Sequence, residues 1–419
     1  MLLQFTVENF MSIKNKCVFD LTPNFDKEHP ENILEKGGQK ALNVITVYGA
    51  NASGKSNLFK AMTTALNIIR NSENMQINMR LPVTPFKFDQ STISKPTSFE
   101  FTFVAKDEKK YVYGFSATQE KIIEEYLYCY NSAKPSVIFD FTYTTDPIEL
   151  KFSRSTKTEL APLLEKRIPN KLFISTATAW NAESTKVAFE WLATAVNTFM
   201  DINNLTNVSL DKYRLDENKE NIEFAKLLMK HADINITDFD IKITETEKLP
   251  FELMLNGQAL STDKNYNFEI LTNHSIKDDN NQVHEFKLDL SEESLGTKQL
   301  FFYAPILKEI IDNGATLFVD ELDRSLHPFI VKYIISMFRD ETINKNGAQL
   351  IATTHETVLL SLDMLRRDQI YFTEKDCDTG VTSLYSLNEF SVRKSDNIEK
   401  GYLLGRYGAI PLVHMTEVI

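Results

Sequence analysis

Cysteine is scarce: three in 419 residues, Cys17, Cys129 and Cys377, none near another. That spacing offers neither a disulfide framework nor a zinc ligand set, and it suits a reducing cytoplasm. Apolar runs of membrane-spanning length are missing, so no membrane partner is expected. Met1-Leu2-Leu3-Gln4-Phe5 runs into Glu8 without a long apolar core, and no secretory leader is expected. Positive charge is in deficit, with 46 Lys and Arg against 58 Asp and Glu and a formal net charge of -12. A basic nucleic-acid coat is thereby excluded. A local basic groove is not, because steering follows the distribution of charge and not only its sum. Sustained heptads are absent, which excludes a long coiled coil. There is no internal repeat and no low-complexity tract. What is left is an ordinary globular composition, over a length that suits two or more lobes.

Against these absences stands one complete motif. Gly49-Ala50-Asn51-Ala52-Ser53-Gly54-Lys55-Ser56 reads G-x-x-x-x-G-K-[ST] without a mismatch, and Asn57 continues it. A chain this long matches that pattern by accident on the order of one or two times in a hundred. The flanks decide against accident. Val44-Ile45-Thr46-Val47-Tyr48 reads as a buried strand. Asn57 to Arg70 puts Leu58, Phe59, Met62, Leu66 and Ile69 on one helical stripe. Strand, glycine loop and helix form the context of a phosphate-binding loop. The glycines let backbone N–H groups turn toward phosphate oxygens, and the helix points its positive end at the same anion. Lys55 would reach the β- and γ-phosphates of a nucleotide, and Ser56 would hold Mg2+.

Around this loop, Leu3 to Leu21 alternates as a hairpin broken at Asn9-Phe10-Met11-Ser12. Phe99–Val104 and Tyr111–Phe115 read as paired strands, with further pieces near 122–130 and 137–143. Residues 5–150 therefore predict a mostly antiparallel sheet wrapped around one strand–helix unit. Lys186 to Met200, around Trp191, and Asn218 to His231 carry helical periodicity, with a polar linker from Asp201 to Glu217. These read as a helical insertion, in which ordinary core helices and partner-binding helices are equal alternatives. Residues 236–290 return to strand-like alternation, turning at Asp278-Asp279-Asn280-Asn281.

The second half of a nucleotide site follows. Ser294-Leu295-Gly296-Thr297 opens a helix with Leu300, Phe301, Ala304, Leu307 and Ile311 on its apolar side. Ser294 and Gly296 at a helix start can take an anion through orphan N–H groups and a hydroxyl; the alternative is an ordinary cap. Ala315-Thr316-Leu317-Phe318-Val319 is an apolar strand ending in Asp320 and Glu321. In a parallel sheet both acids would sit at the carboxyl edge, Asp320 for the Mg2+ shell and Glu321 to polarise a water. Ala348 to Thr354 is another buried strand, and His355 just beyond it could hydrogen-bond a γ-phosphate or that water.

The order of these parts resembles ABC-type ATPase heads of chromosome-maintenance, double-strand-break-repair and overcoming-lysogenisation-defect (OLD) proteins. In this sequence the family's phosphate loop is 49–56, its signature 294–299, its acidic strand end 320–321, its D-loop 322–325 and its switch histidine 355. Three stretches, Phe5 to Ser12, Asp320 to Pro328 and Gly405-Arg406-Tyr407-Gly408-Ala409-Ile410-Pro411, resemble one branch: the OLD-like AAA ATP-binding proteins of bacterial anti-phage and abortive-infection systems. The implied fold is α/β, an ABC-type P-loop ATPase head with an antiparallel β subdomain, a parallel-sheet core and a helical insertion. Its parts would be an N-terminal lobe over 1–180, the insertion over 181–235 and a C-terminal lobe over 236–419.

The implied activity is slow, switch-like ATP hydrolysis with Mg2+. Two copies would sandwich two ATP molecules, Lys55 and Ser56 of one facing Ser294 and Gly296 of the other. Glu321 and His355 would act in hydrolysis, with Asp323 coupling the halves. The implied partners are a second copy, in a dimer or larger assembly, and a separately encoded effector, often a nuclease; nucleic acid stays open. Two departures stand out. Leu295 replaces a Gly common in the signature, and no acidic nuclease cluster follows His355, where Asp368 to Ile419 is short for an added catalytic domain. The readings to separate are a defence-system regulator, a DNA repair or recombination ATPase, and an ATP-dependent module that never hydrolyses. The wide spacing from phosphate loop to signature disfavours a transport ATPase.

Overall fold

The computed structural model describes residues 1–143, 149–200, 202–232, 234–246, 265–394 and 396–411. Parts of four sequence expectations lie outside the described residues: 144–148 of the antiparallel region, Asp201 of the linker, 247–264 of the strand-like region and 412–419 of the tail. By its internal contacts the chain forms two units. One comprises Met1–Met200, Ile310–Asp323 and Val331–Ile419, and the other Asp201–Glu309 and Arg324–Ile330.

The first unit holds two large sheets. One has six strands in the order Val196–Phe199, Thr316–Val319, Gln349–Thr353, Val44–Tyr48, Ile370–Lys375 and Thr382–Ser386. All neighbours run parallel except the last pair. The central strands Thr316–Val319, Gln349–Thr353 and Val44–Tyr48 are wholly buried, which is why they read as unbroken apolar runs. The other sheet is antiparallel, with seven strands in the order Glu149–Phe152, Ser136–Thr142, Ile122–Tyr130, Lys110–Ala117, Thr97–Val104, Leu2–Glu8 and Cys17–Asp20. The hairpin pairs Gln4 with Asp20 through Val7 with Cys17, as the alternation predicts.

The helix Lys55–Asn71 buries Leu58, Phe59, Met62, Leu66 and Ile69 in one core with residues of both sheets. Phe318 joins the layers, with ring centroids 5.4 Å from Phe59 and 6.3 Å from Phe19. Each such ring stabilises the fold by about 1.5–3 kcal/mol when fully buried.

The second unit contains the helices Ile202–Arg214 and Glu220–His231, and a three-stranded antiparallel sheet of Asp238–Thr246, Asn265–Lys277 and Val283–Asp289. It also contains most of the helix Leu295–Asn313, where Phe301 stacks on Tyr213 at 4.5 Å and meets Phe239 at 4.8 Å. Residues 181–200 group with the first unit and 202–232 with the second.

Two local expectations fail. The helical stretch to Met200 stops at Thr194, and Val196–Phe199 is a strand beside Thr316–Val319. A free sheet edge with buried places for Val196 and Phe199 overrides the helical pattern. The polar linker is largely the helix Ile202–Arg214. Its buried stripe is narrow, Leu205, Ser209 and Tyr213 four apart, and one of the three is polar.

Glu125 ties the antiparallel sheet to the end of the phosphate-loop helix. It is fully buried, accepts the backbone N–H of Phe173 (2.5 Å) and Ile174 (2.8 Å), and takes the Tyr113 hydroxyl at 3.2 Å. The short helix Phe173–Ala179 that it caps sends the Ser175 hydroxyl to the Ile69 carbonyl, 3.1 Å away. Burial pushes the Glu125 carboxyl from 4.5 up to about 7, against those hydrogen bonds. A raised carboxyl means that the folded chain holds a proton which the unfolded chain releases. Its contribution is complete below pH 4.5 and is lost as pH rises through 7. Urea unfolding of Glu125→Gln against the native chain should show this directly. The variant's relative stability should rise by about 3 kcal/mol from acid to mildly alkaline pH.

Candidate functional site

The sheet order brings the chemistry to one edge. Val44–Tyr48 leads into the glycine loop, the adjacent Gln349–Thr353 leads to His355, and the next strand, Thr316–Val319, leads to Asp320 and Glu321. All three are parallel, so their carboxyl ends coincide, and this edge is where α/β sheets bind ligands.

The loop's shape depends on its glycines. Gly49 has φ +158, and a Cβ there would lie 2.5 Å from both Ser53 Oγ and Thr373 Oγ1. Gly54 has φ +110, and its Cβ would lie 2.2 Å from Thr382 Oγ1. Ala52 takes a left-handed φ of +63 between them. The loop is sewn to neighbouring strands through hydroxyls. Ser53 Oγ and Thr373 Oγ1 share a hydrogen bond of 2.7 Å, and Thr382 donates to the Ser53 carbonyl at 3.0 Å. Ser12, at the hairpin tip, accepts from Asn57 Nδ2 at 2.7 Å and lies 2.8 Å from Thr382 Oγ1. Asn51 and Ala52 are exposed at the loop's crest, and Ser56 is half-buried on the first turn of the helix.

Lys55 is 6% exposed and folds back over the loop, donating to the carbonyls of Gly49 (2.7 Å) and Ala50 (3.1 Å). Burial pulls its ammonium below the ordinary value, and the carboxylates of Asp320, Glu321 and Asp323 oppose that shift. A cation buried among carbonyls and facing three acids can be drawn out by a polyanion.

Thr353 organises the acids. Its hydroxyl donates to Asp320 Oδ1 at 2.6 Å and accepts the Glu321 N–H at 2.7 Å. Glu321 is exposed and has φ +55, a conformation that costs a non-glycine residue about 1–3 kcal/mol. Asp323 Oδ2 accepts the His355 N–H at 3.1 Å, while its buried Oδ1 has no partner among the described residues. His355 itself is exposed. It lines a cavity of about 1670 Å3 together with Gly49–Ser53, Lys14, Phe88 and the Ile410–Pro411 end of the chain's described part.

Ser294 and Gly296 belong to the second unit. Ser294 caps the helix Leu295–Asn313, its Oγ accepting the Thr297 N–H at 3.1 Å. A Cβ on Gly296 would meet the Ser325 carbonyl at 2.8 Å. Glu293, just before, is tied to the sheet by Thr272 (2.6 Å) and His274 (2.7 Å). Leu295 is 70% exposed.

Ser12, Thr353, Thr373 and Thr382 all hold predicted site residues, and sequence reading gave none of them a role. Lone hydroxyls after apolar strands carry no motif. The one available signal was the Thr353-Thr354-His355 run at a strand end.

A glycine loop closing a parallel strand, with paired acids and a histidine at the ends of two neighbouring strands, defines an ABC-type P-loop ATPase head. The chain belongs to the family described as "AAA domain, putative AbiEii toxin, Type IV TA system", which matches residues 44–361. No curated protein matches the chain. Among solved structures it is similar to the SMC head domain from Thermotoga maritima, at 13% identity over 92% of this chain and 98% of that one, with a TM-score of 0.41. It is also similar to the recombination mediator protein RecF with ATP, of the RecFOR pathway, at 14% identity over 92% and 99%, with a TM-score of 0.36. A third is cbiO1 from Clostridium perfringens, part of the ABC transporter complex cbiONQ, at 11% identity over 97% and 96%, with a TM-score of 0.32. Among the described residues no helix is long and apolar enough to cross a membrane.

Thr353→Val removes one acceptor and one donor at the acids while keeping the strand's shape. It should cost about 1–3 kcal/mol by thermal unfolding. ATP turnover should fall about tenfold or more, with ATP affinity nearly unchanged, since the glycine loop is untouched.

Proposed function

We propose that this chain is an ATP-hydrolysing regulatory subunit of an anti-phage defence system of the OLD-like branch, which holds and releases a separately encoded effector. The observation that carries the ATPase reading is the shared edge of three parallel strands bearing Gly49–Ser56, Asp320–Glu321 and His355. The defence reading rests on the family description and on the sequence stretches Asp320 to Pro328 and Gly405 to Pro411.

The residues fit a nucleotide with Mg2+. Gly49 and Gly54 let the loop backbone pack closely on Thr373 and Thr382 in the strained turns a phosphate loop needs, and Lys55 lies buried against it. Ser56 and Asp320 form an oxygen donor set suited to a hard cation, and would hold Mg2+, which when bound neutralises charge on the β- and γ-phosphates. Lys55 leaves the Gly49 and Ala50 carbonyls for the phosphates. Glu321 orients and polarises the attacking water. His355 donates a hydrogen bond to the γ-phosphate or that water, and the Asp323 carboxylate holds the His355 backbone. Ser294 and Gly296 of a second copy complete the site, so that binding drives engagement and hydrolysis releases it. An exposed Leu295 in place of glycine suits slow turnover. A switch of this kind signals through its assembly state.

Light scattering on purified Glu321→Gln protein tests this reading. Mass should about double when ATP and Mg2+ are added, and adding either Lys55→Ala or Ser294→Arg should prevent the rise. A mass that never responds to ATP, with the nucleotide tightly bound, would sink the trans-completed site. Copurification of the native chain with the product of a neighbouring gene then tests the effector.

A further inference from the structure

The cavity beside the phosphate loop has a wall that phosphate chemistry does not use. It carries Phe88, in the connector after the loop's helix. Phe88 is 74% exposed, whereas Phe86, two residues earlier, is buried. An exposed ring ordinarily swings freely, but this one is held. The Phe86 ring meets it edge-on, 5.7 Å away at 88°. The Lys375 ammonium lies 5.9 Å from its centroid. Gly380, with φ +67, lies so close that a Cβ would come within 2.7 Å of the ring.

That glycine is itself fixed. Its N–H donates to the Asp376 carbonyl at 2.8 Å, and the Asp376 carboxylate takes the Thr379 N–H at 2.7 Å. On the other side, Asp89 pairs with Lys14 at 2.7 Å and caps the Ser91 N–H at 2.8 Å, which pins the connector next to the ring. The cavity thus presents a positioned aromatic plate whose surface is mostly bare.

Ring and loop are linked through one strand and one cavity. The strand Ile370–Lys375 touches the loop at Thr373, whose Oγ1 meets Ser53 Oγ. Two residues on, about 7 Å along the strand, Lys375 meets the Phe88 ring. Loop and ring therefore line one cavity, and a nucleotide with its phosphates in the loop carries its base out into it.

We propose that Phe88 is the stacking platform for the base of the nucleotide whose phosphates enter the loop Gly49–Ser56. The proposal rests on the nucleotide reading of that loop. The ligand class is a nucleoside triphosphate, and a purine covers more of the ring than a pyrimidine does. Stacking is tolerant of base identity, because every base has a π-face. The platform therefore confers affinity and orientation, and GTP should feel its loss as ATP does.

Titration calorimetry with the full chain tests it, using ATP and inorganic tripolyphosphate as probes, each with Mg2+. Phe88→Ala should weaken ATP about tenfold or more and leave tripolyphosphate within about twofold. Phe88→Trp should keep the affinity for ATP. Phe88→Leu, which keeps apolar bulk without a π-face, should show the same loss as alanine and serves if the alanine variant fails to fold. Lys55→Ala should abolish binding of both probes. If Phe88→Ala and Phe88→Leu leave ATP unchanged while Lys55→Ala abolishes it, the base lies elsewhere and the proposal is wrong. Equal weakening of ATP and tripolyphosphate would also overturn it, since Phe88 would then be shaping the loop. If Lys55→Ala changes neither probe, the loop reading itself fails and takes the platform with it.

Discussion

Two threonine side chains fill the space that side chains at Gly49 and Gly54 would need. Thr373 and Thr382 come from strands more than 300 residues along the sequence from the loop they support. Their hydroxyls bond Ser53, and through Ser12 and Asn57 they fasten the first hairpin to the start of the phosphate-loop helix. The loop backbone is therefore held in its shape by packing and by these hydroxyl hydrogen bonds. A phosphate-binding loop pays little reorganisation cost on binding when its conformation is set in advance. Here the presetting comes from the far end of the chain.

The same economy governs the charges. Lys55 is buried, and burial alone disfavours its ammonium. Its ammonium donates to the Gly49 and Ala50 carbonyls, and the three nearby carboxylates oppose the downward pull of burial. Asp320 and Asp323 are in turn positioned by Thr353 and the His355 backbone, both at the end of the strand between the acids and the loop. Acids and histidine thus share supports, so a shift of the Gln349–Thr353 strand end would move Asp320, Glu321 and His355 together. Such shared supports give a site two arrangements more readily than a continuum of them.

What could be read from sequence follows from how local each signal is. The phosphate loop was legible because its strand, glycines and helix are contiguous and each has its own pattern. The acids and His355 were legible because buried parallel strands are unbroken apolar runs, which mark where a carboxyl edge must fall. The edge strand Val196–Phe199 was not, since its conformation is set by Thr316–Val319, more than 100 residues away. The helix Ile202–Arg214 was hidden by a narrow stripe with a buried Ser209 at its centre. The supporting hydroxyls were illegible for a deeper reason. A threonine that holds a loop and one that merely ends a strand are the same letter until the topology puts them beside different partners.

The stretch Gly405 to Pro411 shows how a motif met only as resemblance gains a physical account. Tyr48, the last residue before Gly49, lies 6.0 Å from the Tyr402 ring, and Phe372 stacks on both Tyr402 and Tyr407. The segment wraps this cluster through left-handed turns at Gly405, Gly408 and Ala409, fastened by Tyr402 and Tyr385 hydroxyls on the Ala409 and Tyr407 carbonyls. Gly408 has no room for a side chain, because Tyr385 Oη would lie 2.7 Å from its Cβ. Glycine is required there by both conformation and space. Ala409, non-glycine at positive φ, carries strain that only the surrounding contacts offset. The segment ends as a wall of the cavity that the phosphate loop also lines. Aromatic packing therefore joins the two across nearly the whole length of the sequence. A ligand on this wall would rest on the aromatic cluster that Tyr48, the residue preceding Gly49, also joins.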